Sequence, residues 1–108
     1  MSTIATTPAT LTPGMILVGT WGFEQTNVDF YVVTRTTERT AWLRPVAQRV
    51  ERLTGFMSET VVPLPEQPTG PEVRRRIIAA TSGPRVHTSM GHHATAWDGE
   101  PVRQSHYA

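Results

Sequence analysis

The chain has 108 residues, a formal net charge of +1 and no cysteine. This length allows one domain at most, and the near-neutral charge gives no global attraction to nucleic acid or to an anionic membrane, so such binding would need a local patch. The lack of thiols excludes a disulfide scaffold, thiolate metal ligands and a cysteine nucleophile, and it fits a reducing compartment.

The N-terminal segment, residues 1–12, is rich in Thr, Ala and Pro. We predict a flexible arm here, followed by a single β domain over residues 13–108. The arm lacks the basic start and apolar centre of a signal peptide. No window of the chain approaches the roughly 18 apolar residues of a membrane span. We therefore expect a soluble protein of the bacterial cytoplasm that does not contact a membrane.

The next part of the chain alternates in the manner of β-strands. An apolar run at residues 15–20 is long enough for a buried strand and too short for a helix. In residues 28–35, apolar side chains at every second position predict a strand. We expect this strand to form a hairpin with residues 40–46, and we favour extension of the second strand through residues 47–53 over a short helical turn.

The second half of the chain predicts further short strands. These lie at residues 56–64, 72–81 and 85–88, and a stiff, proline-rich connection at residues 63–71 excludes a helix there. Asp98-Gly99 stands between extended runs at 93–97 and 100–106, which predicts a two-residue hairpin turn. Six or seven short strands without an amphipathic helix predict an all-β fold: a small SH3-like barrel or a rolled antiparallel sheet.

Residues 21–31 form the most distinctive segment, with the sequence WGFEQTNVDFY. It holds four of the chain's eight aromatic residues. Aromatic groups supply rigid contact area, and the acids and amides between them direct hydrogen bonds. We predict a contact surface composed of Trp21, Glu24, Gln25, Asn27, Asp29 and Tyr31. In the alternative interpretation the loop bonds to its own backbone and Trp21 closes one end of the barrel.

All ten basic residues are arginine. The guanidinium fork suits phosphate and carboxylate groups, although scattered arginines are also typical of a GC-rich genome. Within residues 74–76, strand alternation places Arg74 and Arg76 on one face and Arg75 on the other. Arg74 and Arg76, together with Arg44, are a candidate phosphate-binding set. The alternative is a solvated strand whose charges protect a sheet edge.

The four histidines carry the enzymatic alternative. His92 and His93 are adjacent and would point to opposite faces of a strand, and the chain has no metal-binding or nucleophile motif. We therefore expect no metal and no cofactor. A small hydrolase or nuclease that pairs His87 or His93 with an acid such as Asp29 or Glu24 stays open, because the residue types allow it.

The segment at residues 21–31 resembles a motif of short, uncharacterised proteins of bacteriophages, prophages and mobile elements, in which Tyr usually replaces Phe23. The resemblance continues more loosely through residues 40–45, 74–76 and 96–99. It implies a phage or mobile-element setting rather than a reaction, and phage accessory proteins often act by binding. We therefore expect a non-enzymatic accessory module that engages a host or phage protein, or a nucleic acid, through residues 21–31. The near-neutral charge favours a protein, and a minor virion component is a further alternative.

Overall fold

The computed structural model describes residues 10–22, 26–55, 58–79, 83–89 and 92–105. Within these ranges the chain forms eight strands and no helix, which confirms the predicted all-β class. The strands are β1 (Ile16–Trp21), β2 (Asn27–Thr36), β3 (Thr40–Gly55), β4 (Ser58–Pro68), β5 (Val73–Ile78), β6 (Arg85–Ser89), β7 (His92–Ala96) and β8 (Val102–Ser105).

All eight strands belong to one antiparallel sheet that rolls into a ring. Its order is β2-β1-β7-β6-β5-β3-β4-β8, and an additional β2–β3 pairing closes the first six strands on themselves. This is the rolled antiparallel sheet that the sequence predicts. The structure has eight strands where six or seven were predicted. The short strands β6, β7 and β8 correspond to the predicted runs at 85–88, 93–97 and 100–106.

The longest strand, β3, organises the ring. Its first half pairs with β2 along one edge, which confirms the predicted hairpin. Along the other edge it pairs first with β5 and then with β4. Its 16 residues include the predicted extension past residue 46. The second half, residues 47–55, continues past β2 and β5 and pairs with residues 58–64 of β4; we call these paired segments the β3–β4 extension.

Alternation along β1, β2 and β3 divides the apolar side chains between two cores on opposite faces of these strands. The first core lies inside the six-stranded ring and contains Leu11, Leu17, Val33, Ala41, Leu43, Val86 and Ala94. The second core lies on the other face, where β4 and β8 cover it, and contains Val28, Phe30, Val46 and Val61, with Trp97 and Val102 packed against them. The Phe30 and Trp97 rings meet edge to face, 6.1 Å between centroids.

The proline-rich segment differs from its prediction. Pro63, Pro65 and Pro68 lie within β4, not in a connection. Proline cannot donate to a strand ladder, so a sheet tolerates it where one edge is unpaired. One edge of β4 is unpaired after Val61, because β8 pairs with β4 only from Ser58 to Val61.

The predicted C-terminal hairpin is wrong. β7 pairs with β1 and β6, whereas β8 pairs with β4. Gly99 does take a positive φ of 91°. However, Asp98 Oδ1 accepts a bond from the Glu100 backbone N–H at 2.9 Å, so the turn closes locally and redirects the chain from the ring to the second core.

Leu11, which we assigned to the flexible arm, is only 6% exposed and belongs to the first core. The other residues assigned to the arm include 1–9, which lie outside the described ranges. No helix in the described part of the chain is long and apolar enough to cross a membrane.

Candidate functional site

The segment at residues 21–31 runs from the last residue of β1, through the connection, into the first half of β2. The two strands pair from Ile16 opposite Val32 to Trp21 opposite Asn27. Gly22, just past the end of β1, has a φ of 131°, a conformation that glycine adopts without strain. Glu24 and Gln25 of the predicted contact surface lie outside the described residues.

Four of the predicted contact residues share one face of this hairpin. Trp21 lies opposite Asn27, and Gly19, two residues earlier, lies opposite Asp29. Because side chains two apart point the same way, Trp21, Asn27, Asp29 and Tyr31 lie on that face. We call these four residues the tip surface.

Trp21 is the exposed aromatic group of the tip surface. Its side chain is 45% exposed, and its indole Nε1 donates to Asp29 Oδ2 at 2.6 Å. The His92 ring lies 6.3 Å from the indole ring between centroids. Trp21 belongs to neither core, so it does not close the barrel from inside. A charge-assisted bond instead holds it at the surface.

The start of β2 is anchored to the far end of the chain. The Thr26 backbone N–H donates to Ser105 Oγ at 2.9 Å, and the Ser105 backbone N–H donates to the Thr26 carbonyl at 3.0 Å. These bonds join the hairpin to β8 and fix the direction in which the tip surface is presented.

A concave pocket of about 320 Å³ adjoins the tip surface, and it is lined in part by Asp29, Tyr31, Pro45, Gln48 and Arg75. Burial raises the pKa of the Tyr31 phenol above its ordinary value, the Asp29 carboxylate raises it further, and the Arg75 guanidinium opposes them. Tyr31 therefore offers a neutral hydroxyl group, which donates and accepts, beside one negative and one positive group. This combination suits directed polar recognition.

The arginines of β5 alternate as predicted. Arg74 and Arg76 are exposed, whereas Arg75 is half-buried. Arg75 Nε donates to the Thr88 carbonyl at 3.2 Å, and its Nη1 donates to the Arg74 carbonyl at 2.9 Å. Arg75 is thus held at the inner face of the ring, and Arg74 and Arg76 remain on the outer face.

Arg44 lies on the same outer face, two residues after Trp42 on β3. Arg74 is opposite Trp42 in the ladder, so the predicted phosphate-binding set shares one surface. The Nε of Arg44 is buried and has no hydrogen-bond partner within the described ranges.

The sequence interpretation missed Arg35 and Trp42 as members of this surface. The Arg35 Cζ lies 3.9 Å from the centroid of the Trp42 ring. Regular alternation along β2 would place Arg35 on the inner face with Val33, but the β2–β3 register shifts between these two residues. This bulge turns Arg35 outward, and nothing in the local sequence marks it.

The histidines are distributed over two places. His87 and His93 are cross-strand neighbours on β6 and β7, with ring centroids 5.7 Å apart, and His92 contacts Trp21. His106 lies outside the described residues. The described residues contain no group of three or more His, Asp or Glu side chains that could hold a metal ion.

No family model, curated protein or solved structure matches this chain. The phage or mobile-element setting that residues 21–31 imply therefore stays a prediction. The arguments for a function come from the geometry of the tip surface and of the arginines.

Proposed function

We propose that this protein is a non-enzymatic binding module of the bacterial cytoplasm, an accessory protein of a phage or mobile element. It engages a host or phage protein through the tip surface, together with Glu24 and Gln25. The observation that carries this proposal is the exposed Trp21 side chain held by Asp29 at 2.6 Å. Tryptophan is enriched among the residues that dominate protein–protein binding energy.

The fixed position of Trp21 supports binding in a second way. Ordering a free side chain on association costs about 0.5–1.5 kcal/mol. The Asp29 bond and the contact with His92 order the Trp21 indole before a partner arrives. The polar pocket beside it then supplies direction, so the site joins an apolar anchor to specific hydrogen-bonding groups.

The hydrolase alternative would bring an acid to His87 or His93. Asp29 instead accepts a bond from the Trp21 indole. This contact favours recognition over acid–base chemistry as the use of Asp29.

Affinity capture from a host lysate, with quantification of each captured protein, tests the proposal. Trp21→Ala should lose the specific partner. Leu53→Ala should keep it, because Leu53 is an exposed apolar residue (75%) of β3 that does not belong to the tip surface. If Trp21→Ala captures the same proteins as the wild type, the tip surface is only scaffold and the proposal is wrong.

Two further variants examine the polar part of the site. Asp29→Asn keeps the shape of the side chain but removes the charge that holds Trp21, so it should weaken capture by about tenfold, which corresponds to the 1.4 kcal/mol scale of a charge-assisted bond. The double variant Gln25→Ala/Asn27→Ala should also weaken capture. Unchanged partner amounts in both variants would contradict a role for these polar groups.

A further inference from the structure

We propose that the outer face of β2, β3 and β5 is a second binding surface, for single-stranded nucleic acid. We call it the arginine face; it consists of Arg35, Trp42, Arg44, Arg74 and Arg76. This inference does not depend on the tip surface, which lies on the opposite, inner side of the sheet.

The register of the sheet brings these residues together. Arg35 lies opposite Trp42 on β3, and Trp42 lies opposite Arg74 on β5. Adjacent strands are about 4.8 Å apart, so a cation, an aromatic ring and a second cation form one row across three strands. Arg76 lies one row further along β5, opposite Thr40.

Arg35 and Trp42 form a flat, charged platform. The guanidinium carbon lies 3.9 Å from the ring centroid, and Arg35 is exposed whereas Trp42 is half-buried. The ring therefore supports the guanidinium group from below, and the outer side of that group faces solvent. Nucleic-acid bases stack on guanidinium planes as well as on aromatic rings.

The positive charge of the arginine face is largely uncompensated. Within the described ranges, Arg74 and Arg76 make no ion pair, and the salt bridge there joins Arg49 to Glu51 on the β3–β4 extension. Glu72, two residues before Arg74, accepts a bond from the Thr34 hydroxyl on its Oε2 at 2.5 Å. A near-neutral chain thus carries a local cationic patch of the kind that binding to phosphates requires.

A hollow next to the face offers a place for a base. It has a volume of about 530 Å³, and Arg76, Ile78, Ala79 and His87 are among its lining residues. This volume is typical of small-molecule sites, which are mostly apolar with a few polar groups. Here Arg76 would meet a phosphate, while the apolar wall and the His87 ring would contact the base.

The mixture of flat groups and cations favours a single strand over the other polyanions. An acidic protein or a polyphosphate would use the charges but not the Arg35–Trp42 platform. A duplex hides its bases and is read by an element that enters a groove. The arginine face lies on the surface of the sheet, where exposed bases can reach it.

Fluorescence anisotropy with a labelled oligothymidylate, and with its RNA counterpart, tests the proposal at low salt. The wild type should bind, and Arg74→Gln/Arg76→Gln should bind at least tenfold more weakly. Each contact to a phosphate of a single strand contributes about 0.7 to the slope of log K against log salt. The double variant should therefore reduce that slope by about 1.4.

A matched control separates this face from general electrostatics. Arg52→Gln/Arg103→Gln removes the same charge from two exposed arginines, Arg52 on β3 and Arg103 on β8, which lie on either side of Thr60 of β4. This control variant should bind the oligonucleotide within twofold of the wild type. Thermal unfolding of every variant shows whether it is folded. Trp21→Ala should also retain oligonucleotide binding, so failure of the tip proposal is distinguishable from failure here.

Several results would overturn the proposal. One is that the wild type does not bind the oligonucleotide at low salt. Another is that the two arginine double variants lose oligonucleotide binding to the same extent. The single-strand assignment would also be wrong if a duplex binds more tightly, or if inorganic polyphosphate or polyglutamate displaces the oligonucleotide equally well at equal charge. Arg35→Gln addresses stacking directly: it should weaken oligonucleotide binding more than polyphosphate binding, and equal losses would contradict the platform.

Discussion

At the scale of single residues, Tyr31 links the fold to pH. Its pKa in the folded protein is raised above the ordinary 10.0, first by burial and then by Asp29. A raised pKa stabilises the fold fully below the unfolded pKa, and this contribution is lost as pH rises through the folded pKa. The free energy of unfolding should therefore fall as pH rises above about 10.

Tyr31→Phe provides the comparison, because phenylalanine has no proton to lose. Its free energy of unfolding should fall less steeply than that of the wild type between roughly pH 9 and 11, as measured by urea unfolding at each pH. Every other titrating group is common to both proteins and cancels in the difference. Parallel pH profiles would show that ionisation of Tyr31 is not linked to folding.

Gly99 is a second residue whose backbone conformation carries a prediction. Its φ is 91°, and a Cβ added there would meet nothing within 4 Å, so only backbone strain opposes substitution. Gly99→Ala should lower the free energy of unfolding by about 1 kcal/mol. Gly99→Asn should cost less, because asparagine tolerates positive φ better than alanine. Chemical denaturation of both variants checks this, and equal stability of Gly99→Ala and the wild type would contradict it.

At this scale, the sequence predicts those features of a residue that depend only on its neighbours along the chain. The alternation of Arg74, Arg75 and Arg76 follows from local strand geometry, and this prediction is confirmed. The outward position of Arg35 depends on a bulge against another strand. Such a shift reflects how two strands fit each other, so the residues near Arg35 do not reveal it.

At the scale of elements, β3 has two unequal halves. Residues 41–43 pair with β2 on one edge and β5 on the other, whereas residues 47–55 pair with β4 alone among the described strands. Backbone amides with fewer tertiary contacts open at lower free-energy cost. Amides of residues 50–55, all of them exposed, should therefore exchange hydrogen faster than those of residues 41–46.

Hydrogen exchange followed by NMR resolves the two halves of β3 residue by residue. The β1–β2 hairpin is an internal reference, because its strands lie within the ring. Uniform protection along the whole of β3 would mean that another element covers residues 50–55. That result would contradict the exposed position of residues 50–55 at the far end of β3.

The strands themselves were predictable, but their partners only in part. The hairpin of β2 and β3 was predicted correctly, since a short polar turn leaves the two strands adjacent. The Asp98-Gly99 turn also separates two strands, yet β7 and β8 pair with β1, β6 and β4 instead. Trp97, which directly follows β7, packs against the second core, and Val102 of β8 does the same. Burial of these side chains therefore decides the pairing, and it depends on parts of the chain distant in sequence.

At the scale of the whole molecule, the two cores share β1, β2 and β3. On β2, Val33 lies in the first core while Val28 and Phe30 lie in the second; on β3, Leu43 lies in the first core and Val46 in the second. Unfolding of these shared strands would therefore disrupt both cores at once. We therefore expect unfolding in a single cooperative transition. The sequence predicted the alternation that makes this possible, but not that both faces of β2 would be covered.

Matched substitutions in the two cores test this coupling. Val33 of the first core is 1% exposed and Val61 of the second is 0% exposed, so Val33→Ala and Val61→Ala remove the same atoms from equally buried sites. Each should lower the free energy of unfolding by about 2–3 kcal/mol. Calorimetry should show one transition in both variants, with equal calorimetric and van't Hoff enthalpies. If Val61→Ala instead separates the trace into two transitions, the β4–β8 layer unfolds on its own, and the shared strands do not couple the cores.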